Sequence, residues 1–268
     1  MKTMSKLSRN VLQWAALMLL LGLSLFPSTT LGQDDIDKAF AASGLESLFT
    51  NAPETALYVA RQLGAEANVM SAWETSVQAH LAPGVMTEAL RLEFADRLDP
   101  KSAAAIVTFR QSGLGQAITA AEAELNSTLH EVDQENPRLA PQEMEALSTT
   151  RRELYVRLAE LTAARDGDGQ FMGLVEALLS PLLPQAELEA AMTELAGIVQ
   201  ETSSMDINME RVSQTFRDFS EADLKAYATH LESPDGRAFL AAKSSGEESV
   251  YRRAVEALGE DFAALVNG

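Results

Sequence analysis

Histidine and carboxylate side chains are the groups in this chain that could carry out acid–base or metal chemistry. The sequence has three histidines, His80, His130 and His230, and 39 acidic residues, including the close pair Glu221 and Asp223. None of the histidines lies in His-Glu-x-x-His or another zinc-ligand spacing. Local motifs therefore predict no catalytic, cofactor or metal site. A hydrolase would need carboxylates to converge with His230 in three dimensions.

An acidic segment at Asp166 and Asp168 partly matches the start of a calcium-binding loop. Such a loop requires glycine at its sixth position and a bidentate glutamate at its twelfth, where this chain has Phe171 and Ala177. The segment is therefore predicted to be a turn. The chain also lacks a Gly-x-Ser-x-Gly elbow and a Gly-x-x-x-x-Gly-Lys phosphate loop.

Two segments of similar sequence are the sharpest feature of the chain. Residues 98–122 and 219–243 align without gaps at an offset of 121, which pairs Ser112 with Ser233 and Gly115 with Gly236. A serine three residues before a glycine could be a nucleophile or part of a phosphate cradle. Because neither segment has a neighbouring base or the glycine pattern of an anion loop, we predict that both serines cap helices.

Each segment has the pattern of a tight helical hairpin. Asp99 and Ser220 stand where a side-chain oxygen would cap the first helix. Gly115 and Gly236 lie one turn into the second helix, where the missing β-carbon lets two backbones approach closely. His230, at the end of the first helix of the second hairpin, is predicted to pack there and to complement the helix dipole with partial positive charge.

The first hairpin resembles a bacterial family through the residues Phe109-Arg-Gln-Ser112-Gly-Leu-Gly115-Gln116. The motif Phe-x-x-Ser-x-x-Gly-Gln is similar to that of the family catalogued as domain of unknown function 2059. The second hairpin departs from it, with His230 in place of an aromatic residue and Arg237 in place of Gln or Lys. The resemblance implies an exported helical protein without an assigned activity, and it implies no catalytic residues.

The N-terminus has the layout of a secretory signal peptide. Lys2, Lys6 and Arg9 precede an apolar run over 11–26, and small polar residues follow. Cleavage of residues 1–32 would leave Gln33 as the new N-terminus. The alternative is an uncleaved anchor, but 16 residues give a helix of only about 24 Å, short of a hydrocarbon core of roughly 30 Å. We predict a periplasmic or secreted protein.

Charge and cysteine content exclude several classes of function. The full chain carries a formal charge of −18, and without residues 1–32 it has 18 basic and 39 acidic side chains, a formal charge of −21. Such a chain repels nucleic acid and anionic lipid surfaces. The chain has no cysteine, so its stability must come from apolar burial rather than disulfides.

Helical periodicity dominates the sequence and predicts an all-α fold, a multi-helix bundle that contains the two related hairpins. Breaks near 131–141 and 166–169 divide the chain into an N-terminal half, 33–135, and a C-terminal half, 136–268, which either form separate domains or pack as one. We also predict a single long helix over 141–165 and a final helix over 248–266.

The apolar segment 171–184 has two interpretations. If Leu174, Leu178 and Leu182 were exposed together, they would form a patch of the kind that marks partner sites. An all-round apolar helix is more often buried, and we favour that interpretation. The favoured function is a non-enzymatic module that binds an unidentified protein or peptide, and the alternative is the hydrolase with converging carboxylates and His230. The sequence does not indicate an oligomeric state.

Overall fold

The computed structural model of the protein describes residues 31–135, 146–162, 167–201 and 204–267. Within these ranges every regular element is a helix, so the predicted all-α class is confirmed. The predicted signal peptide lies almost entirely outside the described residues, as do Asp166 and residues 136–141 of the break predicted at 131–141. Residues 131–135 of that predicted break belong to a helix instead. None of the described helices is long and apolar enough to span a membrane.

Twelve α-helices and one 3₁₀ helix are present in the described ranges. In chain order they are α1 (Leu31–Ala42), the 3₁₀ helix (Leu45–Ser47), α2 (Ala52–Gln62), α3 (Ala67–His80), α4 (Pro83–Arg97), α5 (Pro100–Arg110), α6 (Gly113–Glu135), α7 (Thr149–Thr162), α8 (Gly167–Leu179), α9 (Gln185–Glu201), α10 (Ser204–Thr215), α11 (Glu221–Glu232) and α12 (Pro234–Asn267).

A large core is formed by α1 to α5 together with α8 and α12. In α4, Met86, Leu90 and Phe94 repeat every four residues and are fully buried on one face. Aromatic rings meet edge to face at its centre, with Phe94 in contact with Phe239 of α12 at a centroid separation of 5.9 Å. Helices from both predicted halves of the chain thus contribute to this core.

A smaller core lies between α7, α10 and α11, and Ile118 of α6 packs into it. Its central side chains are Tyr155, Phe216 and Tyr227, all nearly inaccessible to solvent. The side chain of Leu240 in α12 contacts both cores. The α12 helix therefore connects the two cores along its length of 34 residues, or about 51 Å.

Two helix predictions were wrong. The predicted helix over 141–165 is interrupted at Leu147 and Ser148, because the Ser148 hydroxyl accepts a hydrogen bond from the Arg151 N–H and caps a new helix. The final helix does not begin at Glu248, since α12 starts at Pro234 and continues to Asn267. Gly246, which weakens helix propensity there, is retained inside it against Leu90.

The predicted turn at 166–169 was also wrong in part. Gly167, Asp168 and Gly169 form the first turn of α8 rather than a separate loop. Among the described residues, no group of three or more histidine, aspartate or glutamate side chains could hold a metal ion.

Candidate functional site

The first hairpin joins α5 to α6 through Ser112, which caps α6. The Ser112 hydroxyl accepts a hydrogen bond from the Gly115 N–H at 3.1 Å and donates one to the carbonyl of Phe109 at 2.6 Å. Asp99 caps α5 by accepting from the N–H groups of Lys101 and Ser102, each at 3.0 Å. The capping predictions for Ser112 and Asp99 are therefore confirmed.

The second hairpin, between α11 and α12, has the same local geometry. Ser233 accepts from the Gly236 N–H at 3.0 Å and donates to the carbonyl of His230 at 2.6 Å. Ser220 caps α11 in a capping box with Asp223. The hydroxyls of Ser112 and Ser233 are thus engaged with the backbone on both sides, and neither is placed as a nucleophile.

The carboxylate pair Glu221 and Asp223 does not form an acid–base site. Asp223 accepts from the N–H and the hydroxyl of Ser220, while Glu221 accepts a hydrogen bond from Ser148 across the boundary to α7. Each carboxylate therefore serves a different helix terminus.

The hairpins contact each other through the rings of Phe109 and His230. The rings stack with centroids 3.6 Å apart and an interplanar angle of 7°. Burial, assisted by the nearby Arg110 charge, lowers the pKa of His230 to about 4. The imidazole is therefore neutral at pH 7. His230 packs at the helix end as predicted, but the expected partial positive charge was wrong.

A buried ionic network lies beside this stack. The Arg110 side chain is only 4% exposed and its Nη1 donates to Glu122 Oε2 at 2.9 Å and to Thr119 Oγ1 at 3.2 Å. Tyr227 of the second hairpin donates its hydroxyl hydrogen to Glu122 Oε1 at 2.7 Å. Burial, with the adjacent Glu122 charge, raises the pKa of Tyr227. The network therefore fastens the two hairpins to each other.

No carboxylate among the described residues is hydrogen-bonded to the His230 side chain. Asp235 accepts instead from the Ser102 hydroxyl at 3.1 Å, and Glu122 is held by Arg110 and Tyr227. A neutral, stacked imidazole without a carboxylate partner lacks the orientation that a general base requires. This geometry gives the hydrolase hypothesis no support.

His80 belongs to a second group that superficially resembles a catalytic triad. Asp261 Oδ2 accepts from the Ser76 hydroxyl at 2.9 Å and lies 3.6 Å from His80 Nε2. In a hydrolytic triad histidine stands between serine and aspartate, whereas here the aspartate is in the middle. Ser76 is also completely buried. The group ties α12 to α3, and its serine is not accessible to a substrate. The side chain of His130 lies outside those that the structure describes.

The predicted burial of the apolar segment 171–184 is confirmed at its centre. Leu174 and Leu178 are each 1% exposed and belong to the large core, and Leu182 packs against that core. The alternative, in which the three leucines form an exposed partner site, was wrong.

A groove of about 680 Å³ instead lies on the other side of α8, between that helix and the C-terminal half of α12. Its floor is one row of residues from each helix, spaced by four positions, so that each row lies along one side of its helix. The rows are Gly173 and Ala177 on α8, followed by Pro181 just beyond its end, and Tyr251, Val255, Gly259 and Ala263 on α12.

Small residues allow the two helices to approach closely at the floor. A β-carbon placed on Gly259 would lie 3.3 Å from the Ala177 Cβ, and one on Gly173 would lie 3.7 Å from Val255 Cγ1. The one large polar floor residue is Tyr251, which is partly buried and whose pKa is raised by burial. Its hydroxyl makes no hydrogen bond to any other described residue and is available to a ligand.

Charged side chains form the rim of the groove. Four carboxylates and one guanidinium line it, all on exposed residues, for a formal charge of −3: Glu176, Glu248, Arg252, Glu256 and Glu260. Within the described part of the chain none of these five takes part in a salt bridge or side-chain hydrogen bond. Some neighbouring charged groups of α12 are paired, as Arg253 is with Glu93 and Lys243 with Glu247. The groove thus combines an apolar floor with unpaired negative charge.

Comparisons with protein families, curated proteins and solved structures found no match to this chain. The resemblance to domain of unknown function 2059 therefore stays a prediction.

Proposed function

We propose that this protein is an exported, non-enzymatic helical module that binds a protein or peptide partner in the groove between α8 and α12. The observation that carries the proposal is the groove itself, about 680 Å³ in volume, with a floor of small and apolar residues. Grooves of this kind between helices receive the apolar face of a partner helix. The titratable groups of the two hairpins support the non-enzymatic part of the proposal, because they are engaged in helix caps, ring stacking and ion pairs.

The export component of the proposal rests on sequence. The basic start, the apolar run over 11–26 and the small residues that follow support a signal peptide cleaved before Gln33. The absence of cysteine from the chain is compatible with an oxidising compartment, because no thiol is exposed to oxidation there.

A duplication of the hairpin supports a structural rather than a catalytic role for residues 98–122 and 219–243. Phe109 and His230 occupy equivalent positions at the offset of 121 and stack on each other. Equivalent residues meet in this way when two related units pack about a local two-fold axis. The two hairpins then form a scaffold from which the C-terminal part of α12 extends.

Site-specific photocrosslinking in the native host tests the binding function. A photoreactive amino acid replaces Ser180, an exposed residue that lines the groove, or Leu92, an exposed residue of α4 that does not line it. We expect a reproducible polypeptide adduct at position 180 and none at position 92. The adduct should disappear when Ala263→Phe fills the floor. Equal adducts at both positions, or no polypeptide adduct at position 180, would overturn the proposal.

A further inference from the structure

We propose that the occupant of the groove between α8 and α12 is a cationic amphipathic helix of a partner protein. This inference rests on the peptide-binding function proposed above and names the chemistry of the partner. It depends on three features of the groove: its length, the spacing of its floor residues and the charge of its rim.

The length of the groove matches a helix of moderate size. The lining residues of α12 extend from Glu248 to Asn267, which corresponds to about 28 Å along a helix axis. A partner helix of about 18 residues covers the same distance. No described element of this protein is a β-strand, so no strand edge in the described part of the chain offers an extended peptide the backbone pairing of β-augmentation.

The floor favours an apolar helical stripe. Rows of residues spaced by four are the ridges that interdigitate when helices pack. In the floor rows, Gly173, Ala177, Gly259 and Ala263 carry little or no side chain, so both ridges are low at these positions. Leucine, isoleucine or phenylalanine side chains of a third helix can pack on these low ridges from the open side of the groove. The stripe of such a helix would cover the exposed apolar atoms of Tyr251 and Ala263.

The rim favours a positively charged partner. Glu256 and Glu260 on α12 and Glu176 on α8 flank the floor, and none is paired within the described residues. Lysine and arginine side chains that border an apolar stripe can lay their methylene stems on the floor and reach these carboxylates with their charged ends. Arg252, the one cation among the described residues of the rim, would meet an acidic residue of the partner and so help to fix its register.

The charge and the apolar floor of the groove together discriminate between classes of ligand. A small polyamine could neutralise the carboxylates, but it has no apolar face with which to cover the floor. A nucleic acid or an anionic lipid surface is repelled by the rim and by the overall charge of −18. The apolar floor and the acidic rim are both satisfied only by a chain that carries both kinds of group.

Fluorescence anisotropy with designed peptides tests this inference. Protein expressed from the complete coding sequence is titrated against three labelled 18-residue peptides: an amphipathic Leu/Lys helix, the same helix with Glu replacing Lys, and a scrambled Leu/Lys peptide without an apolar stripe. We expect the amphipathic Leu/Lys helix to bind at least tenfold more tightly than the other two. Spermidine at millimolar concentration should not displace it.

Two triple variants separate the groove from general attraction to an acidic protein. The groove variant is Glu176→Gln, Glu256→Gln, Glu260→Gln. The control variant is Glu74→Gln, Asp96→Asn, Glu194→Gln, which removes the same number of charges from exposed residues that do not line the groove. The groove variant should weaken binding of the cationic helix by roughly tenfold, as expected for the loss of three exposed ion pairs, and the control by less than twofold.

Three outcomes would overturn the inference. Equal binding of the Leu/Lys and Leu/Glu helices would show that the charge of the rim does not select the partner. Equal weakening by both triple variants would show that the attraction is not localised in the groove. In either case a polypeptide adduct at position 180 would leave the binding function itself intact. Displacement of the peptide by spermidine would show that the groove binds a small cation rather than a partner helix. Failure of both the peptide titration and the photocrosslinking would remove the binding function as well.

Discussion

Replacing Gly115 with alanine should lower the free energy of unfolding by about 3–5 kcal/mol, because the new methyl group has no space. In the first hairpin a β-carbon on Gly115 would lie 2.1 Å from the carbonyl oxygen of Phe109 and 2.6 Å from the Arg110 Cα. Both are backbone atoms, so no side-chain rotation can relieve the overlap. The α5–α6 connection would have to open by nearly 1 Å before the contact reached the 3.0 Å at which ordinary β-carbon contacts begin.

The magnitude has two components. Overpacking of a closely packed site costs about 1–3 kcal/mol. In addition, the Phe109 carbonyl that must move accepts two hydrogen bonds, from the Ser112 N–H at 3.0 Å and from the Ser112 hydroxyl at 2.6 Å. Loss of each contributes about 1 kcal/mol. Gly236 should behave in the same way, since a β-carbon there would lie 2.1 Å from the carbonyl oxygen of His230.

Gly113→Ala is the matched control in the same helix. No atom lies within 4 Å of a β-carbon built on Gly113, and its φ is negative. Alanine should therefore be neutral or stabilise the protein by up to about 1 kcal/mol through the lower entropy of the unfolded chain. Urea unfolding followed by circular dichroism at 222 nm measures both variants. If Gly115→Ala loses less than about 1 kcal/mol, or Gly113→Ala loses as much as Gly115→Ala, the close-approach argument is refuted.

Three buried groups yield further predictions. Tyr227→Phe should cost about 1–2 kcal/mol of unfolding free energy in urea titrations, because Glu122 loses a 2.7 Å hydrogen bond; no loss would contradict the network. The pKa of His230 is about 4 in the folded state against an ordinary 6.5. The contribution of the neutral imidazole to the free energy of unfolding should therefore be complete above pH 6.5 and should be lost as the pH falls towards 4. In His230→Phe the midpoint of urea unfolding should change less with pH between 6.5 and 4.5 than it does in the wild-type protein. An unchanged pH dependence would refute the neutral imidazole. In a chain starting at Gln33, Trp73 is the sole tryptophan and is 0% exposed, so its emission should be blue-shifted and move to the red on unfolding; emission already at the solvent-exposed wavelength would exclude this core.

Local signals in the sequence were sufficient for the caps at the starts of α5, α6 and α11. A cap involves atoms within three residues of each other, so Asp99, Ser112 and Ser220 could be assigned from spacing alone. The close approach at Gly115 could also be anticipated, since a glycine one turn after a cap indicates a backbone contact. These features depend on neighbours in the chain and not on the tertiary arrangement.

Arg151 shows where local signals failed. A long helix was predicted over 141–165 because apolar residues recur at helical spacing on both sides of this arginine. In the fold the Arg151 guanidinium donates to the carbonyls of Phe216, Arg217 and Phe219, which follow the end of α10. The cation thus satisfies carbonyl groups at a helix C-terminus. Its partners lie more than 60 residues away, so no local pattern could identify its role.

The predicted positive charge of His230 was wrong for a related reason. Its position at a helix end suggested a charged imidazole, because the local dipole favours a cation there. The opposing effect is burial against Phe109 and proximity to the buried Arg110, and both come from the other hairpin. Burial and the Arg110 charge oppose the dipole at this site and lower the pKa of His230.

The groove could have been anticipated only in part, and the missing part explains why its partner is the open question. The four-residue spacing of Gly173, Ala177 and Pro181 is visible in the sequence, but small residues in such a row serve equally well to bring two helices together. What distinguishes a groove from a closed contact is that the rows lie at the solvent-facing edge of the α8–α12 contact, with carboxylates beside them that have no partner in the described chain. The two helices meet at the rows themselves, where Gly259 faces Ala177, while Leu174 and Leu178 of α8 are buried in the large core. Four carboxylates that border an apolar floor and have no partner in the described chain would be matched by an occupant that supplies apolar and positively charged side chains.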